Sequence, residues 1–111
     1  VCEKTYVDGT TTSYEFANVM AAYDTTDDVL KFYDFVRKTA AKHGFGEVGG
    51  VRLGGSSDAA YITIAKTPVI CSFGVLGEWN HTFNEYAVVE SLFERAKLIS
   101  AIVLELENFE S

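Results

Sequence analysis

The sequence predicts a mixed α+β chain of 111 residues that changes to α/β character at Gly54. Three observations lead to this prediction. Asp8-Gly9 separates two stretches rich in threonine and aromatic residues, which is typical of a β-hairpin. Residues 25–44 repeat apolar side chains at helical spacing. Residues 69–73 (VICSF) form a continuous apolar run, which is typical of a strand buried on both faces of a parallel sheet.

The composition excludes several classes of function. A formal net charge of -7 and a pI near 4.7 argue against nucleic-acid binding, which needs clustered lysine and arginine. No apolar run approaches the roughly 20 residues of a membrane span, and residues 1–12 lack the pattern of a signal peptide. Cys2 and Cys71 are too far apart in the sequence for a zinc motif and fit a reducing compartment. We therefore expect a cytoplasmic protein without nucleic-acid or membrane partners.

The first half of the chain predicts part of a small sandwich. Residues 1–7 and 11–23 are predicted to pair as antiparallel strands around Asp8-Gly9. A helix over residues 25–44 follows, and residues 46–53 form a short glycine-containing strand. Hairpin, helix and strand in this order are the second half of a ferredoxin-like βαββαβ domain.

The predicted helix has clear ends. Thr25 and Asp28 are placed as a capping box, and Gly44 suits the left-handed residue that ends a helix. His43 lies among cations in the last turn and is interpreted as a solvated helix-end residue. The predicted buried face consists of Val29, Phe32, Tyr33, Val36 and Ala40.

The second half begins with a glycine-rich turn into a predicted helix over residues 58–66. Ser56 or Ser57 can cap this helix, or the turn can present backbone N–H groups to an anion. The apolar strand leads into a polar loop over residues 74–86, and a final helix over residues 88–108 follows. Its predicted buried stripe consists of Val89, Leu92, Phe93, Ala96, Ile99, Ser100, Val103 and Leu106, and its acidic residues are predicted to face solvent.

The polar loop carries His81, the main candidate for chemistry. Loops at the carboxyl ends of buried strands are common functional positions, and neutral imidazole is a good zinc ligand. A catalytic zinc needs about three protein ligands. Glu78 and Glu85 flank His81, but the chain has no His-x-Asp motif and no Glu-Glu pair. Spacing alone therefore leaves a metal ligand and a structural histidine both open.

Three segments give residues 54–106 a resemblance to the C-terminal end of the M20 family of zinc metallopeptidases. GGSSDAAY (residues 54–61) resembles the family's Gly-Gly-Thr/Ser-Asp-Ala segment. TPVICSFG (residues 67–74) resembles its Pro-Val/Ile strand. His81 followed by NEYAVVESL (residues 84–92) resembles the block that opens its last helix. The family includes glutamate carboxypeptidases, aminoacylases, desuccinylases and peptidase T.

The resemblance implies a division into domains and a set of roles. Residues 1–53 correspond to part of the lid, or dimerisation, domain, and residues 54–111 to the C-terminal part of the catalytic domain. His81 matches a metal ligand, and Gly55 and Ser56 match the segment that binds the substrate's carboxylate. The complete enzymes hold two zinc ions and use a glutamate as general base on a peptide or N-acyl amino acid bond.

The chain also departs from the family's pattern. The remaining metal ligands and the catalytic glutamate have no counterpart here, so no catalytic residue is assigned, and the isolated chain is expected to be inactive and to hold zinc weakly. The family often carries a lid arginine where residues 18–23 read NVMAAY. The alternative interpretation is a non-catalytic α+β dimerisation or ligand-binding module in which His81 is structural. A homodimer is expected on either interpretation.

Overall fold

Two long helices organise the computed structural model, which describes residues 4–110. The order of the elements is α1, α2, β1, β2, α3 and a closing 3₁₀ turn. Their bounds are α1 Asp27–Lys42, α2 Ala59–Ile64, β1 Gly77–Glu78, β2 Tyr86–Ala87, α3 Val89–Glu105 and the 3₁₀ turn Leu106–Asn108.

The described chain is elongated. Its radius of gyration is 19.5 Å, whereas a compact domain of this length has about 13 Å. Many large apolar side chains are consequently exposed, and the buried core is small.

The sequence placed the start of α1 one residue too early. Thr26 is the N-cap, and its side-chain oxygen accepts a hydrogen bond from the N–H of Val29 at 3.3 Å. The expected capping box of Thr25 and Asp28 is therefore wrong. Asp27 and Asp28 still occupy the first turn, where the helix dipole favours negative charge.

The end of α1 confirms the prediction for Gly44. This glycine has φ +76°, a left-handed conformation that side chains disfavour. The N–H of Phe45 donates to Ala40 O at 2.9 Å, and the N–H of Gly44 donates to Ala41 O at 3.2 Å. The two bonds form a Schellman motif. They turn Phe45 back, so that its ring packs against the core.

The core lies between α1 and α3. Val36, Ala40, Leu98 and Ile102 form its buried centre. Half-buried side chains from several parts of the chain pack around it, namely Phe32, Phe35, Phe45, Val48, Ile70 and Phe73. The predicted buried face of α1 is confirmed at Val29, Val36 and Ala40. Phe32 and Tyr33 are only half-buried.

The buried face of α3 is not the predicted one. The side chains turned inward are Ser91, Leu98, Ala101 and Ile102. The predicted stripe instead points away from α1, because α3 is apolar on both sides and periodicity alone does not choose between them. We call this stripe, together with Leu104, the outer face of α3. It consists of Val89, Leu92, Phe93, Ala96, Ile99, Ser100, Val103, Leu104 and Leu106, all exposed; Leu106 is the first residue of the 3₁₀ turn that follows α3.

None of the four predicted strands is formed within the described residues. Residues 4–23, 46–53 and 69–73 contain no strand, and residues 1–3 of the first predicted strand lie outside the described part. The predicted turn at Asp8-Gly9 is present, since Thr10 N–H donates to Val7 O at 3.2 Å. A strand is stable only when a neighbouring strand pairs with it, and for these segments the described residues supply none.

Tyrosine hydroxyls tie the extended segments to the rest of the molecule. Tyr33 donates to Val48 O at 2.9 Å, and Tyr23 donates to Val69 O at 2.8 Å. Tyr61 donates to Val19 O at 3.2 Å. Each bond joins residues at least 15 positions apart.

A short hairpin replaces part of the predicted polar loop. β1 and β2 are antiparallel, with Gly77 opposite Ala87 and Glu78 opposite Tyr86. This is the one sheet within residues 4–110. This small sheet tests neither the predicted ferredoxin-like sandwich nor the predicted α/β layer, so both stay predictions. None of the described helices is long and apolar enough to cross a membrane.

Charged side chains join the ends of α1 and α3. Glu105 Oε1 lies 2.6 Å from Lys42 Nζ and 3.0 Å from His43 Nε2, while its Oε2 accepts from Asn108. Glu105 was expected to be solvated, but its side chain is only 18% exposed. His43 was interpreted as a solvated helix-end residue, yet it pairs with this carboxylate.

We expect Glu105→Gln to lower the melting temperature at neutral pH. Hydrogen bonds from Lys42 and His43 hold the pKa of Glu105 below its ordinary value of 4.5. A carboxyl whose folded pKa is depressed stabilises the fold above its unfolded pKa, and that contribution disappears as pH falls through the folded pKa. The difference between the wild type and the variant should therefore close as the pH is lowered below 4.5 in calorimetric scans.

The matched control is Glu107→Gln, because Glu107 is exposed and lies two residues after Glu105. Equal effects of the two substitutions at neutral pH would contradict the assigned role of Glu105.

Candidate functional site

A contact joins the first two of the three segments that carry the family resemblance, and Leu76, just after the second, contacts the third. We name them the first (residues 54–61), second (67–74) and third (84–92) motif segments. The first forms a turn and the first half of α2. The second has no regular secondary structure, and the third contains β2 and the start of α3.

A hydroxyl and a thiol connect the first and second motif segments. Ser57 Oγ lies 3.0 Å from Cys71 Sγ. This hydrogen bond is the main cause of a lowered pKa for the Cys71 thiol, although burial opposes it. The same serine oxygen accepts the N–H of Ala59 at 3.1 Å at the start of α2. Ser57 therefore contacts both the first residue of α2 and the neighbouring segment, while the N-cap is Asp58, whose side chain makes no capping bond.

Tyr23 lies beside this connection. Burial raises the pKa of its phenol above the ordinary value, and the nearby Cys71 contributes further. The phenol donates its proton to Val69 O, at the start of the apolar run. The arrangement keeps Tyr23 neutral and holds the N-terminal part of the chain against the second motif segment.

The chain just after the second motif segment is tied to the third by Leu76. Val88 N–H donates to Leu76 O at 2.8 Å, and Leu76 N–H donates to Ser91 Oγ at 2.9 Å. Ser91 is only 4% exposed, and its hydroxyl donates a hydrogen bond to Val88 O at 2.6 Å. This role was not predictable from the sequence, because Ser91 lies outside the predicted buried stripe of the final helix.

His81 lies in the loop between β1 and β2 and is exposed to solvent. Thr82 closes the loop, because its N–H and its hydroxyl both donate to Trp79 O, at 3.1 and 2.7 Å. Trp79 and His81 each have φ +64°, which is uncommon for residues with a side chain. Lys66 and Ser72 have φ +61° and +64°, so this left-handed backbone also occurs outside the loop and does not by itself mark a functional site.

Gly77 allows the two sides of the hairpin to approach each other. A Cβ atom at this position would collide with the carbonyl oxygen of Tyr86 on the facing strand. Any side chain at Gly77 would therefore separate β1 from β2 and displace the loop that carries His81.

Glu78 and Tyr86 face each other across the hairpin. The Glu78 carboxylate, which interacts with the phenolic O–H, raises the pKa of Tyr86 above its ordinary value. An open groove of about 480 Å³ runs beside this pair; it is lined by Val75, Gly77, Asn80, Glu85, Tyr86 and Ala87. His81 is not among the residues that line this groove, so the groove is not a site to which His81 contributes.

Gly55 and Ser56 are exposed in the turn before α2. Within residues 4–110, no hydrogen bond connects either of them to His81. Neither Ser56 nor Ser57 is the N-cap of α2, which is Asp58. The helix that follows has only six residues, so its dipole adds little attraction for an anion.

The described residues do not form a zinc site by themselves. A catalytic zinc takes about three protein ligands. Among residues 4–110, no three His, Cys, Asp or Glu side chains come together. His81 is a single candidate zinc ligand, which is fewer than a catalytic zinc needs.

Comparisons with protein-family models, with curated proteins and with solved structures found no match to this chain. The relationship to zinc peptidases is therefore a proposal that depends on the three motif segments and on the geometry around them.

Proposed function

We propose that the chain is the C-terminal portion of an M20-like zinc-dependent peptidase or amidohydrolase. Residues 1–53 would belong to the lid and residues 54–111 to the catalytic domain. The substrate class is a peptide or an N-acyl amino acid, and the proposed compartment is the cytoplasm. The isolated chain is proposed to be inactive, since it carries one matched ligand and no matched catalytic glutamate.

The observation that carries the proposal is the connection of the three motif segments. Ser57 of the first segment contacts Cys71 of the second, and Leu76, two residues after the second segment, contacts Val88 and Ser91 of the third. Residues that build one site must meet in space, whereas unrelated surface segments have no need to. His81 lies on the hairpin that leads from the second segment to the third.

Two hydrogen bonds cross the proposed domain boundary near residue 53. Tyr23 donates to Val69 O, and Tyr61 donates to Val19 O. Both bonds place residues 18–23 against the first two motif segments. The family's lid arginine would lie on this stretch, and the chain has none there. We therefore propose that a substrate carboxylate is held by the turn at Gly55 and Ser56 instead.

The proposal is tested with the complete polypeptide encoded by the gene. It should carry a His-x-Asp motif and a Glu-Glu pair, and it should hydrolyse N-acetyl amino acids or dipeptides. A zinc chelator should abolish hydrolysis, and added zinc should restore it. The 111-residue chain, assayed in parallel, should be inactive. Stoichiometric zinc binding and hydrolysis by that chain alone would contradict the proposal, as would a complete polypeptide without these motifs.

A non-catalytic module is the second candidate, and the exposed apolar outer face of α3 favours it. Such a surface is typical of a chain that associates with another protein. The hydrolysis assay separates the two candidates, because a module would leave the substrates intact whatever the metal content of the buffer.

A further inference from the structure

The outer face of α3 has the pattern of a helix-pairing seam. Its apolar residues recur every three and four positions. In heptad terms, Val89, Ala96 and Val103 occupy one core position, and Leu92, Ile99 and Leu106 occupy the other. This spacing is the one by which two helices pack side by side.

No charged side chain interrupts the outer face. Its single polar residue, Ser100, donates its hydroxyl proton to Ala96 O within the helix at 2.8 Å. Substantial apolar surface is exposed along the seam, with Ile99 42% and Val103 62% accessible. A helix that is apolar on opposite sides needs cover on both. α1 covers one side, and within residues 4–110 the outer face has no cover.

We infer that the outer face of α3 binds the same face of a second copy of this chain, with the two helices antiparallel. A two-fold axis between Lys97 and Leu98 brings residues whose numbers add to 195 opposite each other. Every residue at one heptad position then meets a residue at the other. The resulting layers are Val89 with Leu106, Leu92 with Val103, and Ala96 with Ile99.

The antiparallel arrangement is preferred because it matches side-chain volumes. Each smaller residue of the seam faces a larger one, so all layers have similar thickness. A parallel pair would instead place Ala96 against Ala96 and Leu92 against Leu92. The alanine layer would then be underfilled, while the neighbouring leucine layer would hold the helices further apart. Antiparallel helix dipoles also attract each other.

The size of the seam predicts a weak dimer. A 17-residue helix is about 26 Å long and about 10 Å wide, so each copy contributes a strip of about 260 Å² and the two copies together about 520 Å². This is below the roughly 1,000 Å² of a stable specific interface, so the dimer is expected to form only at high protein concentration. The negative charge of the chain opposes association at low ionic strength, so added salt should strengthen the dimer.

The first test is sedimentation equilibrium of the 111-residue chain up to a few hundred micromolar. The wild type should show a concentration-dependent monomer–dimer equilibrium. Ile99→Glu should weaken it by about a hundredfold or more, since a two-fold interface contains the change twice. Leu30→Glu is the matched control, because Leu30 is a similarly exposed apolar residue on α1. Far-UV circular dichroism checks that both variants keep their helices.

The second test fixes the orientation without relying on a disruptive variant. Ala96→Cys and Ile99→Cys are made in separate chains whose Cys2 and Cys71 have been changed to serine. On mild oxidation, the mixture should form a disulfide-linked heterodimer, whereas each variant alone should not crosslink. Crosslinking of each variant with itself would indicate parallel helices and overturn the inference.

A strictly monomeric wild type would also overturn it, and would assign the outer face to another part of a longer polypeptide or to a different protein. Equal weakening by Ile99→Glu and Leu30→Glu would exclude the seam as the interface. The inference does not depend on the proposed peptidase function, because neither test involves zinc or a substrate.

Discussion

Leu98→Ala is expected to lower the free energy of unfolding by about 2–5 kcal/mol. Leu98 is 3% exposed and lies between α1 and α3 with Val36 and Ala40. Truncation removes apolar contacts and leaves a cavity that the surrounding helices fill only in part. The buried core has few members, so one such change removes a large share of its stabilisation.

Urea denaturation at low protein concentration measures this effect on the monomer. Leu104→Ala is the control, since Leu104 is on the same helix and 79% exposed. It should change stability by less than about 0.5 kcal/mol. Equal losses of stability from the two substitutions would mean that α3 does not bury the side that carries Leu98.

His81→Ala is expected to lower hydrolysis by the complete polypeptide by at least about 100-fold. Removing groups that only support a metal ligand typically costs 10–100-fold, so loss of the ligand itself should cost at least as much. The effect should appear in kcat and kcat/KM of N-acetyl amino acid hydrolysis.

Two comparisons make this result specific. His43→Ala replaces the other histidine of the chain, which pairs with Glu105 at the end of α1, and should leave kcat unchanged. In the 111-residue chain, His81→Ala should hardly change the melting temperature, because the side chain is exposed in a loop. A large loss of stability there would favour a structural histidine and the non-catalytic module.

Local signals in the sequence predicted α1 and its end well. The apolar spacing over residues 29–40 and the glycine at position 44 act within a few residues, so they can be recognised from sequence. The N-cap was placed at Thr25 instead of Thr26 because either threonine can accept a backbone hydrogen bond.

Features that depend on distant partners were not predictable. Strands at residues 4–23 and 69–73 require neighbours to pair with, and the apolar pattern does not supply them. The side of α3 that packs on α1 was missed because both sides are apolar. Periodicity identifies an apolar stripe but not its partner.

The candidate site was predictable in part. The position of His81 in an exposed loop after the apolar run follows from the sequence. The contacts of Ser57 with Cys71 and of Ser91 with Leu76 do not, since they join residues 14 and 15 positions apart through single polar atoms. The β1–β2 hairpin was missed because its strands have only two residues each.

The zinc content of the complete polypeptide tests the central claim most directly. After zinc loading and extensive dialysis, metal analysis should find two zinc ions per wild-type polypeptide, as the M20 resemblance implies. His81→Ala should retain at most one, while His43→Ala should retain both. A wild type without bound zinc, or a His81→Ala variant with the full complement, would contradict the assignment of His81 as a metal ligand.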